Sequence, residues 1–118
     1  MPRPQPLSTA AELDAAFEAS TQRPVFVFKH SLICPVSTRA DMEFGDFVRG
    51  HTDAAVDFHR IEIQNARPVS DEVATRTGVR HESPQVLLLV DGEVVWHASH
   101  AGITTATLGA ALDEATAG

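Results

Sequence analysis

A single cysteine, Cys34, is the only sulfur nucleophile in the chain. That scarcity excludes a framework of internal disulfides and fits a reducing cytoplasm, where a thiol stays free for exchange. Basic residues are also few: nine Lys and Arg against 16 Asp and Glu leave a net charge of −7 and a pI near 5.2. Nucleic-acid phosphates are held by clustered cations, so the composition argues against a nucleic-acid partner, and an anionic small molecule would need a local basic pocket. No apolar run approaches the roughly 20 residues that span a bilayer, which argues against a membrane partner. The segment Met1–Pro6 alternates prolines and has no apolar h-region, so residues 1–7 are expected to form an extended tail and not a signal peptide. No repeat or low-complexity segment breaks the remainder. Residues 8–118 are expected to be one domain, and 43% hydrophobic content is ample for a single core.

What the chain does have is a cysteine at a strand-to-helix junction. Val25-Phe26-Val27-Phe28 is a dense β-branched and aromatic run bounded by Pro24, which reads as a buried strand. Pro35 directly follows Cys34, and proline is favoured at the first position of a helix. Cys34 is therefore the expected N-cap, with its sulfur toward the free N–H groups of the first turn and the positive end of the helix dipole, which would favour a thiolate and lower the pKa. A lone cysteine is more often a small buried apolar residue. The preceding strand and Pro35 favour the reactive reading here. Ser37 stands where a Cys-x-x-Cys pair would place its second thiol, and serine cannot close a disulfide. A mixed disulfide at Cys34 must then be released by a thiol from outside, while the Ser37 hydroxyl and N–H, one turn along, are placed to hydrogen-bond the thiolate.

In chain order, Thr9 and Glu12 have the spacing of a capping box, and Leu13, Ala16 and Phe17 share one face of the helix that follows. The cysteine helix repeats Val36, Ala40, Phe44, Phe47 and Val48 toward one core, with Gly45 costing about 1 kcal/mol inside it and Gly50 at its C-terminal end. A second strand is expected over Val56–Ile63. A third helix is expected to be capped by Ser70, with Asp71 and Glu72 in its first turn, Arg76 in its last and Gly78 at C′. Val86–Val90, Asp91-Gly92 and Glu93–Trp96 read as a hairpin, and a last helix carries Ile103, Leu108, Ala111, Leu112 and Ala115 after a cap at Thr104 or Thr105. A strand-helix-strand crossover followed by a hairpin predicts an α/β fold, a small mixed four-stranded sheet with helices on both faces, in a thioredoxin-like arrangement. Pro84 opening a strand sharpens this, because thioredoxin-like folds carry a cis proline there beside the active cysteine.

Five ordered motifs carry a closer resemblance: Lys29-His30-Ser31, Cys34-Pro35-x-Ser37, Ala66-Arg67-Pro68-x-Ser70, His81-Glu82-Ser83-Pro84-Gln85 and Trp96-His97-x-Ser99-His100. From Val25 to Leu112 the chain resembles the monothiol bacilliredoxins, thioredoxin-fold proteins of the bacillithiol system. The resemblance implies that Cys34 is the nucleophile and that bacillithiol, or a similar small thiol, is the co-substrate, removed from mixed disulfides on cytoplasmic proteins with no bound cofactor. It implies that Pro84 holds the chain so that the Ser83 backbone pairs with the bound disulfide. Around the Cys34-Pro35 step, Lys29, His30, Arg39, Arg80 and His81 are candidates to raise the local potential or to meet the malate carboxylates of bacillithiol, with Lys29 and His30 first because they precede the active loop.

Other signals are weaker. His97 and His100 are the only close histidine pair and lack a nameable third ligand, so no metal is expected. Trp96 is expected to pack in the hairpin, and Met42, Phe44 and Phe47 in their helix. Two alternative functions stand beside the reductase. One is an iron–sulfur carrier of the monothiol-glutaredoxin kind, although those show Cys-Gly-Phe-Ser where this chain has Pro35 and Val36. The other is a binding module that has kept the fold and lost turnover.

Overall fold

The computed structural model describes residues 4–51 and 55–117. Among them are β1 (Gln5–Pro6), α1 (Ala10–Ala19), β2 (Val25–His30), α2 (Pro35–Arg49), β3 (Asp57–Glu62), α3 (Arg67–Thr77), β4 (Gln85–Val90), β5 (Glu93–Ser99) and α4 (Thr105–Thr116), with 3-10 turns at Ile63–Asn65 and His100–Gly102. The strands form one sheet in the order β1-β3-β2-β4-β5. β1, β3 and β2 run parallel, and β2, β4 and β5 are antiparallel neighbours. The sheet thus has five strands and not the expected four. Residues 1–3 of the expected tail lie outside the described residues, but Gln5 and Pro6 pair with His59 and Arg60, and Leu7 is buried. Proline is tolerated at this edge because an edge strand can spare one donor.

Alternation along the two central strands divides the core. Phe26, Phe28, Val86 and Leu88 point to one face, under α2 and α4, where they meet Phe44, Phe47, Phe58 and Leu108. Val25, Val27, Leu87 and Leu89 point to the other, under α1 and α3, with Leu13, Ala16, Val69 and Val73. All six residues of β2 are buried, as a strand covered by helices on both sides requires. The aromatic side is interlocked: Phe26 meets Phe47 edge-on at 5.4 Å and stacks on Phe58 at 5.7 Å between centroids.

The local signals act as their chemistry dictates. Thr9 and Glu12 close the capping box of α1, and Thr104 caps α4 by accepting from the Thr107 N–H. Asp91 and Gly92 both take positive φ, 53° and 78°, which turns the β4–β5 hairpin tightly. Gly78 ends α3 in the left-handed conformation. Three expectations fail. Met42, expected to pack in its helix with Phe44 and Phe47, is 65% exposed. α3 begins at Arg67, one turn before Ser70, because Pro68 in its first turn starts the helix and leaves Ser70 buried inside it. Val36 is 45% exposed and not in the core: the first turn of α2 buries Ser37 toward Ser31 and His30 and leaves Val36 lining a surface groove.

Candidate active site

β2 and β4 are antiparallel, so the C-terminal end of β2 and the N-terminal end of β4 lie at the same end of the sheet. Cys34 follows the first and Pro84 precedes the second, which brings both motifs to that end. Cys34 is the N-cap of α2 in an extended conformation, φ −104° and ψ 120°, with Pro35 in the first turn. Its carbonyl accepts from the Thr38 N–H at 3.0 Å and the Thr38 hydroxyl at 3.3 Å. Its side chain makes no capping hydrogen bond, and the residue is partly exposed. Around it stand apolar side chains open to solvent: Leu32 at 46% and Ile33 at 82%, with Val36 beyond.

Ser37 faces inward. Its hydroxyl oxygen accepts the Ser31 N–H at 2.9 Å and lies 2.8 Å from His30 Nδ1, and the side chain is fully buried. The expected hydrogen bond to a Cys34 thiolate is replaced by these two partners. Burial pushes the His30 imidazole down in pKa, the nearby Asp41 carboxylate works against that, and the Arg60 guanidinium adds to it. A neutral His30 can accept a hydrogen bond from the Ser37 hydroxyl on Nδ1. The ring also stacks on Phe28 at 5.7 Å.

Lys29 and His30, adjacent in sequence, point to opposite faces of the sheet. Lys29, the only lysine in the sequence, continues the side of Val25 and Val27 and is fully buried. Its Nζ lies 3.1 Å from His81 Nδ1, which the Ser70 hydroxyl approaches at 3.4 Å. Burial lowers the Lys29 ammonium to about 8, with Asp71 opposing. His81 is lowered by its own desolvation first and by the Lys29 charge second. Lys29 was expected to meet substrate carboxylates, but from this position it reaches His81 and not solvent.

The Ser83–Pro84 peptide is cis, as expected of the fold. Pro84 is buried, its carbonyl accepts the His100 N–H at 3.1 Å, and the Ser83 hydroxyl is buried without a partner. Arg39 is exposed and lines, with Pro35, Val36, Ala40, His100 and Ile103, a mostly apolar groove of about 320 Å³ beside Cys34. Arg80 is also exposed, and its carbonyl accepts from Gln85 Nε2 at 3.0 Å. A cleft of about 390 Å³ along Pro6, Leu7, Arg60 and Glu62 contains none of the expected site residues. Among the described residues no cluster of three or more His, Cys, Asp or Glu could hold a metal ion.

Sequence reasoning missed Gln64. Its Oε1 accepts the Leu32 N–H at 3.0 Å and its Nε2 donates to the Ser31 hydroxyl at 3.0 Å, tying the cysteine loop to the end of β3. Nothing in its local pattern marks it, because the contact spans 33 residues.

The family model described as "Monothiol bacilliredoxin BrxC" matches residues 5–108. A solved structure described as having a thioredoxin fold is 34% identical, with a TM-score of 0.82 over 91% of each chain. The thioredoxin of Fasciola hepatica is 14% identical with a TM-score of 0.74, over 93% of this chain and 97% of that one. The thioredoxin of Trypanosoma brucei brucei is 10% identical with a TM-score of 0.79, over 99% and 94%.

Proposed function

Because the chain belongs to the monothiol bacilliredoxin family, we propose that it removes bacillithiol, or a similar low-molecular-weight thiol, from mixed disulfides on cytoplasmic proteins through Cys34. The observation that carries this reading is the pairing of a partly exposed Cys34 at the start of α2 with a buried Ser37 where a second thiol would stand. The Cys34 thiolate attacks the small-thiol sulfur of the mixed disulfide. That S–S bond breaks, a new one forms between Cys34 and the small thiol, and the freed protein thiolate takes a proton from water. With Ser37 unable to attack the adduct, a second small thiol does so, which forms the symmetrical small disulfide and regenerates Cys34. Leu32, Ile33 and Val36 give this site an apolar rim suited to a protein surface, and Arg39 supplies a cation beside the groove for the carboxylates of the small thiol. The Ser83–Pro84 step stands at the same end of the sheet, where its backbone would pair with the substrate chain.

The test is single turnover on a protein carrying a bacillithiol mixed disulfide, followed by intact mass. The expected result is a reduced substrate and one small-thiol mass on Cys34, absent in Cys34→Ser. Release from the substrate that persists in Cys34→Ser would sink the reading.

A further inference from the structure

Loop 78–84, which carries Ser83 and Pro84, takes one side-chain anchor from each of three strands. Ser99 on β5 donates to Glu82 Oε2 at 3.2 Å, Gln85 on β4 donates to the Arg80 carbonyl at 3.0 Å, and Lys29 on β2 meets His81 Nδ1 at 3.1 Å. Lys29 and Gln85 are directly opposite each other in the β2–β4 register, and both are completely buried. An ammonium placed inside a sheet costs free energy unless it is partnered. Its partner here is not a carboxylate but the ring nitrogen of a largely exposed residue in a loop. The one fully buried ammonium among the described residues is thereby committed to locating the loop that precedes Pro84.

We propose that Lys29 is a positioning residue: from inside the sheet it holds the neutral ring of His81 by Nδ1 and so fixes the Ser83–Pro84 backbone against which the substrate disulfide is laid. This rests on the reductase reading above. It assigns Lys29 a role distinct from contact with the small thiol. An ammonium has only donors, so the contact requires Nδ1 as an acceptor and the proton on Nε2. A second proton on His81 would set two cations face to face. The groups around the ring are Lys29 from β2, Ser70, Asp71 and Arg67 from α3, and Glu82 from the loop itself. Asp71 and Glu82 favour the protonated ring; Lys29, Arg67 and desolvation oppose it, and desolvation is the largest influence. The loop is therefore held at neutral pH and loosened in acid.

The experiment compares wild type, Lys29→Met, His81→Leu and His81→Asn, each checked for a native circular dichroism spectrum and melt. Lys29→Met and His81→Leu should each raise KM for a protein mixed disulfide by about tenfold, the equivalent of one hydrogen bond to a charged group. Their alkylation rate with iodoacetamide should stay within twofold of wild type, because that reagent needs Cys34 and not the loop. The two substitutions together should raise KM no further than either alone. His81→Asn keeps an acceptor oxygen near the place of Nδ1 but cannot gain a proton. It should therefore recover most of the KM lost in His81→Leu, and its KM should not rise in acid, where that of wild type is expected to rise as His81 gains its second proton. An unchanged KM in an active, folded Lys29→Met overturns the proposal and leaves the reductase reading intact. Equal losses in alkylation and turnover also overturn it, because Lys29 would then act on the thiol itself. The ring tautomer, read by nitrogen-15 chemical shifts, separates the remaining case. If wild type shows the Nε2–H form yet has no turnover, the reductase reading falls and takes the positioning role with it; if the proton is on Nδ1, the contact is absent and only the positioning proposal falls.

Discussion

The Ser37 hydroxyl stands 2.8 Å from His30 Nδ1 and accepts the Ser31 N–H, so the residue in the place of a second thiol is a hydrogen-bonding post for the cysteine loop. Ser37→Ala removes that post and leaves a buried N–H without an acceptor. The expected cost is about 1–3 kcal/mol in unfolding free energy, measured by denaturant titration. A variant as stable as wild type would show that water replaces the hydroxyl.

Ser37→Cys should change the fate of the adduct. The new thiol lies one turn from Cys34 and attacks the mixed disulfide at a high effective concentration, so the small thiol should leave without an external reductant. Chromatography of the released thiol, with intact mass for the internal disulfide, reads the outcome. An adduct as long-lived as in wild type would mean the buried side chain cannot turn toward Cys34.

Lys29 gives the alkaline side of the stability profile. Its folded pKa is about 8, below the ordinary value of 10.5, so above pH 8 the unfolded chain binds more protons and stability rises with pH up to about 10.5. The full gain is roughly 3 kcal/mol at 1.4 kcal/mol per unit. Lys29→Met should remove the slope. Equilibrium unfolding at pH 7, 9 and 10.5 provides the comparison, and parallel profiles would contradict the assigned burial.

His30 acts in the acid range with the same sign. Folding lowers its pKa, so stability is lost as pH falls through the unfolded value near 6.5 and on down to the folded one. His59 and His81 are lowered as well and contribute to the same slope. His30→Gln should make the profile below pH 6.5 shallower than wild type, as thermal melts in buffers from pH 4.5 to 7.5 would record.

Ile33 is 82% exposed beside Cys34. Ile33→Ser should therefore alter stability by no more than about 0.5 kcal/mol. Turnover on a protein mixed disulfide should fall several-fold, while exchange with a small symmetrical disulfide is unchanged. Equal effects on both substrates would remove the apolar rim from the account of protein recognition.

The legible parts of the fold were those written in short range. Pro35 after Cys34, Thr9 with Glu12, Asp91 with Gly92 and Gly78 each act within one turn, and each took its expected place. β1 was hidden because its pairing joins residues 54 apart and proline is a poor strand signal (Gln5 with His59). The site was half legible for the same reason. Cys34, Ser37 and Pro84 are marked by motif, but that Lys29 and His30 face opposite sides depends on which layers cover β2, and Gln64 is joined to its loop only in three dimensions. The burial of Lys29 had one available hint, a lone lysine directly after the apolar strand run Val25–Phe28.

That burial has a practical consequence for handling the protein. With its one lysine wholly enclosed in the sheet, the folded chain presents no side-chain amine to succinimidyl esters, aldehydes or lysine-directed acyltransferases. Any such mark on Lys29 records an excursion that uncovers its Nζ, whether loop 78–84 lifts away at His81 or β2 parts from its neighbours, so labelling of this side chain over time measures that opening with a single reporter atom.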